Sequence, residues 1–233
     1  MVPTAISALP PFPDNLPLPG QGLHSGPHCI DLGGHRVERL LALDEPPLVV
    51  LGNLFSTGEC AALIDAARPR MARSLTVQQH TGGEEHNAHR TSDGMFFRRG
   101  ETPLIQRMEE RLARLLGWPV ENCEGLQVLR YGPGAEYRPH YDYFDPAEPG
   151  SSTLLQRGGQ RLATLLIYLN TPDEGGATTF PDLRLAVAPL RGNAVFFRYD
   201  QPHPASRTLH GGAPVIAGEK WVATQWLRER KFE

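Results

Sequence analysis

Cysteine is scarce in this sequence. Only three of the 233 residues are cysteines, namely Cys29, Cys60 and Cys123, and no two of them form a CxxC pair. An odd, widely spaced set of this kind makes neither a disulfide framework nor a zinc ribbon. We therefore expect free thiols in a reducing compartment, which predicts a cytoplasmic protein.

The sequence also lacks long apolar runs and an excess of positive charge. No stretch approaches the roughly 18 uninterrupted apolar residues of a transmembrane helix, and residues 1–15 hold no Lys or Arg for a secretory signal. The formal net charge of −3 excludes nucleic-acid binding as the main function. We expect no membrane and no nucleic acid as partners, and the oligomeric state stays open.

Glycine and proline, by contrast, are abundant. The chain has 24 glycines and 22 prolines, and six of the prolines precede Gly20. This composition favours a turn-rich β protein that begins with an extended segment. We therefore divide the chain into a proline-rich leader and N-terminal extension, residues 1–45, and a single domain, residues 46–233.

Two helices are predicted by their end signals. Ser56 and Glu59 form a capping box, which starts a helix that Pro69 ends. Thr102 precedes a second helix with proline at its first position, and Gly117 ends it.

Short strands separated by glycine-rich turns are predicted for most of the remaining chain. The predicted strands are 35–43, 47–51, 126–131, 136–143, 161–170, 178–180, 185–187, 193–198, 206–210 and 220–228. This pattern indicates a mainly β sandwich or barrel with flanking helices. Two long polar segments, 78–100 and 145–159, are candidate lids. The first holds Arg90 together with His80, His86 and His89, which we interpret as surface histidines.

A candidate metal site begins with His140 and Asp142. They lie two residues apart in a predicted strand, so both side chains face the same side of the sheet. His210, at the end of another predicted strand, adds a second imidazole. Two histidines and one carboxylate form a facial triad that suits Fe(II), with zinc as the competing metal.

Lys220 is the second notable charge. It begins an apolar strand in which Val222, Thr224 and Trp226 share its face. A buried lysine needs a partner, so near an open metal site it predicts an anionic ligand such as a dicarboxylate. The alternative is that Lys220 extends into solvent from the end of the strand.

Four stretches of this sequence carry a family resemblance, namely Tyr137–Phe144, Gln160–Asn170, Gly175–Phe180 and Leu209–Trp221. Through them, residues 46–228 resemble the iron(II)- and 2-oxoglutarate-dependent dioxygenases, and within these the prolyl 4-hydroxylase catalytic domain. The resemblance implies a double-stranded β-helix (jelly-roll) core with helices packed on one sheet. It also implies Fe(II), 2-oxoglutarate as cosubstrate and O2, with ascorbate as a further candidate.

The resemblance also implies roles for individual residues. His140, Asp142 and His210 would be the iron ligands, and Lys220 would bind the distal carboxylate of 2-oxoglutarate. Tyr131 and Thr164 would add hydrogen bonds to this cosubstrate, and Tyr137 and Trp226 would line the pocket beside the iron. Tyr137 lies three residues before His140, so an ideal strand would turn it away, whereas a kink at Pro139 would bring it back.

The predicted reaction is hydroxylation of a C–H bond, with a prolyl residue of a peptide or protein as the leading substrate. Ala177 stands after Gly175-Gly176 in place of an acidic residue, Thr208 stands where the family often has Ser, and residues 199–207 are unusual. These departures leave the substrate open, and a free amino acid or other small molecule is the alternative. A non-catalytic, cupin-like metal-binding module is the alternative of another class.

Overall fold

The structure is a computed structural model that describes residues 18–74, 76–77, 84–85 and 91–233, with only the backbone of 76–77 and 84–85. Most of the proline-rich leader and part of the predicted lid at 78–100 lie outside these residues. Arg90 and the three histidines His80, His86 and His89 are among those not described.

The helices are α1 (Thr57–Ala67), α2 (Pro103–Leu116) and α3 (Ser151–Gln156). The strands of the N-terminal half are β1 (Cys29–Asp31), β2 (Arg36–Leu43), β3 (Leu48–Gly52), β4 (Ala72–Arg73), β5 (Thr76–Val77), β6 (Glu84–Glu85), β7 (Asp93–Phe96) and β8 (Gln127–Tyr131). The remaining strands are β9 (Tyr137–His140), β10 (Arg161–Tyr168), β11 (Glu174–Gly175), β12 (Thr178–Phe180), β13 (Leu185–Val187), β14 (Ala194–Arg198), β15 (His210–Gly212), β16 (Val215–Ala217) and β17 (Lys220–Arg228).

Local end signals explain where α1 and α2 begin and end. The Ser56 hydroxyl accepts a hydrogen bond from the Glu59 amide at 3.2 Å, and the Glu59 carboxylate accepts one from the Ser56 amide at 2.8 Å. The Thr102 hydroxyl caps α2 by accepting a hydrogen bond from the Ile105 amide at 3.2 Å, and Gly117 ends the helix in the left-handed conformation, with φ of 59°. Both predicted helices are therefore confirmed.

Two antiparallel sheets face each other. The larger has the order β1-β2-β3-β14-β10-β17-β8-β7-β4, and the smaller has the order β13-β12-β15-β9. Strand β3 is buried on both faces: Val49 and Leu51 pack in the core beneath the helices, whereas Leu48 and Val50 pack between the sheets. This arrangement confirms the predicted mainly β, jelly-roll architecture with helices on one sheet.

The structure corrects several predicted boundaries. The larger sheet includes β1 and β2, and Leu23 and Val37 are buried in its core, so part of the N-terminal extension packs against the domain predicted for residues 46–233. The segment 145–159 contains α3, whose end is held by tertiary contacts, because the Arg228 guanidinium donates to the Leu154 carbonyl at 2.7 Å. The sequence signals neither feature, because both depend on distant partners.

Two strand predictions next to the candidate metal site also change. Strand β9 ends at His140, since its partner β15 is only three residues long, and Asp142 follows the strand instead of lying in it. Residues Pro204–Ser206 form a 3-10 turn that Arg207 ends with a φ of 55°. For this reason His210 begins β15 and does not end a longer strand.

No disulfide bond joins the three cysteines. All three cysteines are free; Cys29 is exposed, and Cys60 and Cys123 are buried. Within the described residues, no helix combines the length and apolar character needed to cross a bilayer.

Candidate active site

Three side chains converge in the space between the two sheets. Nε2 of His140 lies 3.5 Å from Oδ1 of Asp142, and Nε2 of His210 lies 3.5 Å from Oδ2. The ligand atoms of the three residues all lie within 4.8 Å of one another. Two imidazoles and one carboxylate at this spacing can occupy one face of a metal ion and leave the other face open.

Each imidazole is oriented by a backbone carbonyl two residues earlier. Nδ1 of His140 lies 2.9 Å from the Arg138 carbonyl oxygen, and Nδ1 of His210 lies 3.0 Å from that of Thr208. Because a carbonyl only accepts, Nδ1 must carry the proton in both rings. Nε2 of each ring therefore faces the centre of the site, and in the neutral imidazole it carries the lone pair that a metal ligand requires.

Burial and charge favour the metal-binding protonation states. Desolvation lowers the pKa of His210 to about 4, so its imidazole is neutral at physiological pH. Burial alone would raise the pKa of Asp142, but nearby positive charge, which includes the Arg161 guanidinium, holds it well below its usual range. Neutral nitrogen and ionised oxygen donors fit Fe(II).

A bulge in β9 brings Tyr137 into the site. His140 pairs with His210, and Tyr137 pairs with Gly212. Between these two pairs, β9 contains one more residue than β15. The extra residue, beside Pro139, reverses the alternation of side chains. The Tyr137 ring consequently stacks on His140 with ring centroids 3.7 Å apart and an interplanar angle of 22°.

A cavity opens beside the three ligands. Its wall is formed by Leu129, Tyr131, Tyr137, His140, Asp142, Leu166, Thr178, His210, Gly211, Gly212, Lys220, Val222, Thr224 and Trp226. Four of these residues belong to β17, namely Lys220, Val222, Thr224 and Trp226. They are every second residue of the strand, as expected for side chains on one face. Tyr131, Tyr137, Lys220 and Trp226 therefore share one cavity with the three ligand residues.

Lys220 is buried in this cavity. Its side chain is 4% exposed, and burial lowers its pKa to about 8. In the described part of the chain, no carboxylate pairs with the ammonium. Its Nζ atom lies 5.6 Å from the centre of the Tyr131 ring and 5.8 Å from the centre of the Tyr168 ring. The alternative of a solvent-exposed lysine is wrong, and the cavity favours an anionic occupant.

Thr164 does not lie where its predicted role requires. Its hydroxyl donates to Oδ2 of Asp142 at 2.7 Å, and the residue is absent from the cavity wall. The side chain is fully buried behind the carboxylate. Thr164 thus contacts a candidate metal ligand and not the space that a cosubstrate would fill.

Thr178 and Thr224 are two cavity residues that sequence reasoning missed. Thr178 accepts a hydrogen bond from the Tyr168 hydroxyl at 2.9 Å, which leaves its own proton free to face the cavity. The Thr224 hydroxyl and the Trp226 indole nitrogen are buried and lack hydrogen-bond partners among the described residues. These unpaired polar atoms fit a polar cosubstrate. The sequence could have indicated Thr224, because it lies four residues after Lys220 and therefore on the same face of the strand.

A buried ionic cluster supports the wall behind Trp226. The Arg161 guanidinium lies 3.9 Å from the centre of the Trp226 ring and donates to the Asp142 carbonyl at 3.2 Å. Glu124 accepts hydrogen bonds from Arg161 at 2.7 and 2.9 Å and from Arg228 at 2.9 Å. One carboxylate therefore orders two guanidinium groups, and the Arg161 guanidinium holds the tryptophan in place.

Comparisons with known proteins agree with this geometry. The family model of the 2OG-Fe(II) oxygenase superfamily matches residues 126–228, which include every proposed ligand and Lys220. Prolyl 4-hydroxylase 5 of Arabidopsis thaliana is 38% identical over 210 residues, covering 81% of this chain and 70% of that protein. Prolyl 4-hydroxylase 1 of the same plant is 41% identical over 204 residues, covering 79% of this chain and 70% of that protein.

A solved structure shows the same relationship. The viral collagen prolyl hydroxylase of Paramecium Bursaria Chlorella virus-1, in its 2OG complex, has a TM-score of 0.61 and 32% identity. The match covers 78% of this chain and 95% of that one.

The fold and the site define an iron(II)- and 2-oxoglutarate-dependent oxygenase, and the enzyme is a dioxygenase of the oxidoreductase class. Within that class, the chain belongs to the prolyl 4-hydroxylase family.

Proposed function

We propose that this enzyme hydroxylates a prolyl residue in a peptide or protein. His140, Asp142 and His210 hold Fe(II), and Lys220 binds the distal carboxylate of 2-oxoglutarate. The observation that carries this assignment is the buried ammonium of Lys220, which has no ion-pair partner among the described residues and lies in the same cavity as the three metal-binding side chains. The metal and the cosubstrate, when bound with O2, supply the oxidising chemistry.

The residues of the chain bind and orient the reactants. Lys220 supplies the positive charge at one end of the cavity, and the Thr178 and Thr224 hydroxyls offer neutral hydrogen bonds along it. Tyr131 lies opposite Lys220 in the strand register and contributes to the same wall. The Tyr137 and Trp226 rings confine the space next to the ligands and limit the entry of water.

A surface aromatic residue supports a peptide as the substrate. Phe96 is 47% exposed, and its ring lies 6.4 Å from that of Trp226 in the cavity wall. Phe96 thus offers an exposed aromatic surface next to the cavity wall, which a peptide chain bound at the site can contact. The named relatives are prolyl hydroxylases, which supports proline as that residue.

Succinate release is the test of this function. The enzyme is purified anaerobically, loaded with Fe(II), and supplied with 2-oxoglutarate, O2 and either a proline-containing peptide or free proline. We expect peptide-dependent succinate and, by mass spectrometry, a gain of one oxygen atom on a prolyl residue. Turnover of free proline alone would support the small-molecule alternative, and no binding of 2-oxoglutarate would support the non-catalytic module. Omitting ascorbate from the same assay tests whether it is needed.

We also propose that the enzyme works in the cytoplasm. The exposed free thiol of Cys29 and the two buried free thiols support a reducing compartment. Fractionation of the source cells with an antibody to the chain tests this proposal, and recovery in an oxidising compartment would contradict it.

A further inference from the structure

A second buried hydroxyl lies behind the candidate metal site. Tyr199 follows β14 and is 1% exposed, and its amide is fixed by the Leu162 carbonyl of β10 at 2.9 Å. Its hydroxyl is hydrogen-bonded to the Thr164 hydroxyl, which in turn is bonded to Asp142. The side chains of Tyr199, Thr164 and Asp142 thus form a continuous chain of hydrogen bonds that ends at the ligand carboxylate.

The direction of the protons in this chain of hydrogen bonds follows from chemistry. The ionised Asp142 carboxylate can only accept, so Thr164 must use its single proton in the 2.7 Å bond to Oδ2. Thr164 can then only accept from Tyr199, and the phenol is the donor. Burial, together with the charge of Asp142, holds the pKa of Tyr199 well above 10, so the phenol keeps this proton.

Aromatic packing holds the phenol in this position. The Tyr199 ring makes edge contacts with Tyr143 at 6.1 Å and with Phe197 at 5.9 Å between ring centroids. Phe197 in turn lies 4.6 Å from the His210 ring. The phenol and one of the imidazoles are therefore positioned by the same aromatic side chain.

We propose that Tyr199 is a positioning residue for metal binding, acting through Thr164 to orient the Asp142 carboxylate. The two hydroxyls hold Oδ2 and thereby leave Oδ1 as the oxygen available to the metal. This inference rests on the ligand set of the proposed function. Hydrogen-bonded partners of metal ligands typically change metal affinity by about 10- to 100-fold when they are removed.

Mn(II) binding to the purified full-length chain, measured by calorimetry, tests the proposal. We expect Thr164→Val to weaken Mn(II) binding by about 10- to 100-fold, Tyr199→Phe to weaken it by up to about 10-fold, and Thr164→Ser to restore it. Because the phenol acts through Thr164, the double variant Thr164→Val/Tyr199→Phe should bind Mn(II) less than about twofold more weakly than Thr164→Val alone. The Co(II) absorption spectrum of Tyr199→Phe should also change, since it reports ligand arrangement.

Tyr168→Phe is the matched control for metal affinity. It removes another buried phenol that donates to a threonine, but its partner is Thr178 and not a ligand neighbour. Its Mn(II) affinity should stay within about twofold of the wild type. Wild-type affinity and spectrum in Tyr199→Phe, or full additivity with Thr164→Val, would overturn this inference alone. A wild-type chain that binds no Mn(II) would overturn the ligand assignment and the inference together.

Discussion

At the scale of single residues, the site depends on charges and hydroxyls that have lost their water. Lys220 is the clearest example, because its ammonium is buried in the cavity and no carboxylate of the described residues pairs with it. The resulting electrostatic cost is relieved when a carboxylate enters. This makes the lysine a binding group for the cosubstrate, distinct from the three metal ligands.

Lys220→Ala should weaken 2-oxoglutarate binding by about 10- to 150-fold, because a charge-assisted hydrogen bond contributes about 1.5–3 kcal/mol. Mn(II) binding should change little, since the three ligands remain. Both affinities are measurable by calorimetry. Lys231→Ala is the control, because that lysine pairs with Glu233 on the surface. A loss of Mn(II) binding in Lys220→Ala would mean that the lysine supports the fold of the site.

The affinity for 2-oxoglutarate should also depend on pH through Lys220. Its pKa is lowered to about 8 in the free enzyme, so the ammonium loses its proton as the pH rises through that value. The dicarboxylate binds the charged form, so its affinity should be constant below pH 8 and fall by up to about tenfold per unit above it. Dissociation constants from pH 7 to pH 9.5 test this, and the same slope in Lys220→Ala would contradict it.

At the scale of elements, the pairing of β9 with β15 positions the metal site. The bulge places Tyr137 and His140 on one side, and His210 lies directly opposite His140. Close approach of the two strands requires glycine at position 211. A Cβ there would lie 2.9 Å from the Tyr137 carbonyl oxygen and 3.1 Å from the Pro139 nitrogen.

Gly211→Ala should therefore separate β9 from β15 and weaken Mn(II) binding at least about tenfold, because the two imidazoles move apart. The measurement is a calorimetric titration, with circular dichroism to verify the fold. Gly58→Ala in α1 is the control, since a Cβ at that position meets no atom within 4 Å. Unchanged affinity in Gly211→Ala would show that the pairing tolerates the added methyl group.

At the scale of the whole molecule, one carboxylate connects separate parts of the fold. Glu124 precedes β8 and pairs with Arg161 at the start of β10 and Arg228 at the end of β17. Arg228 also binds the carbonyl at the end of α3. The buried cluster thus links the central strands, α3 and the tryptophan of the cavity.

Glu124→Gln should destabilise the protein by about 3–5 kcal/mol, since it leaves two guanidinium groups without their buried counter-charge. Urea unfolding followed by tryptophan fluorescence measures the free energy of unfolding. The exposed pair of Arg36 and Glu38 provides the control, and Glu38→Gln should cost less than about 1 kcal/mol. Equal losses in the two variants would contradict a structural role for the cluster.

Several parts of this fold and site follow from short-range features of the chain. The capping box at Ser56 and the left-handed Gly117 specify helix ends, because the groups that satisfy them are a few residues away. The alternation in β17 likewise assigns Lys220 and Trp226 to one face without knowledge of any neighbour.

Other features depend on contacts between distant segments and are not encoded locally. Asp142 reaches the site from beyond the end of β9, and the side chain of Thr164, predicted to face the cosubstrate, binds Asp142 instead. Thr178 and Tyr199 are brought close to the site only by the pairing of the strands. Strand register and bulges are set by pairing across the sheets, and a shift of one residue changes which side chains reach the cavity.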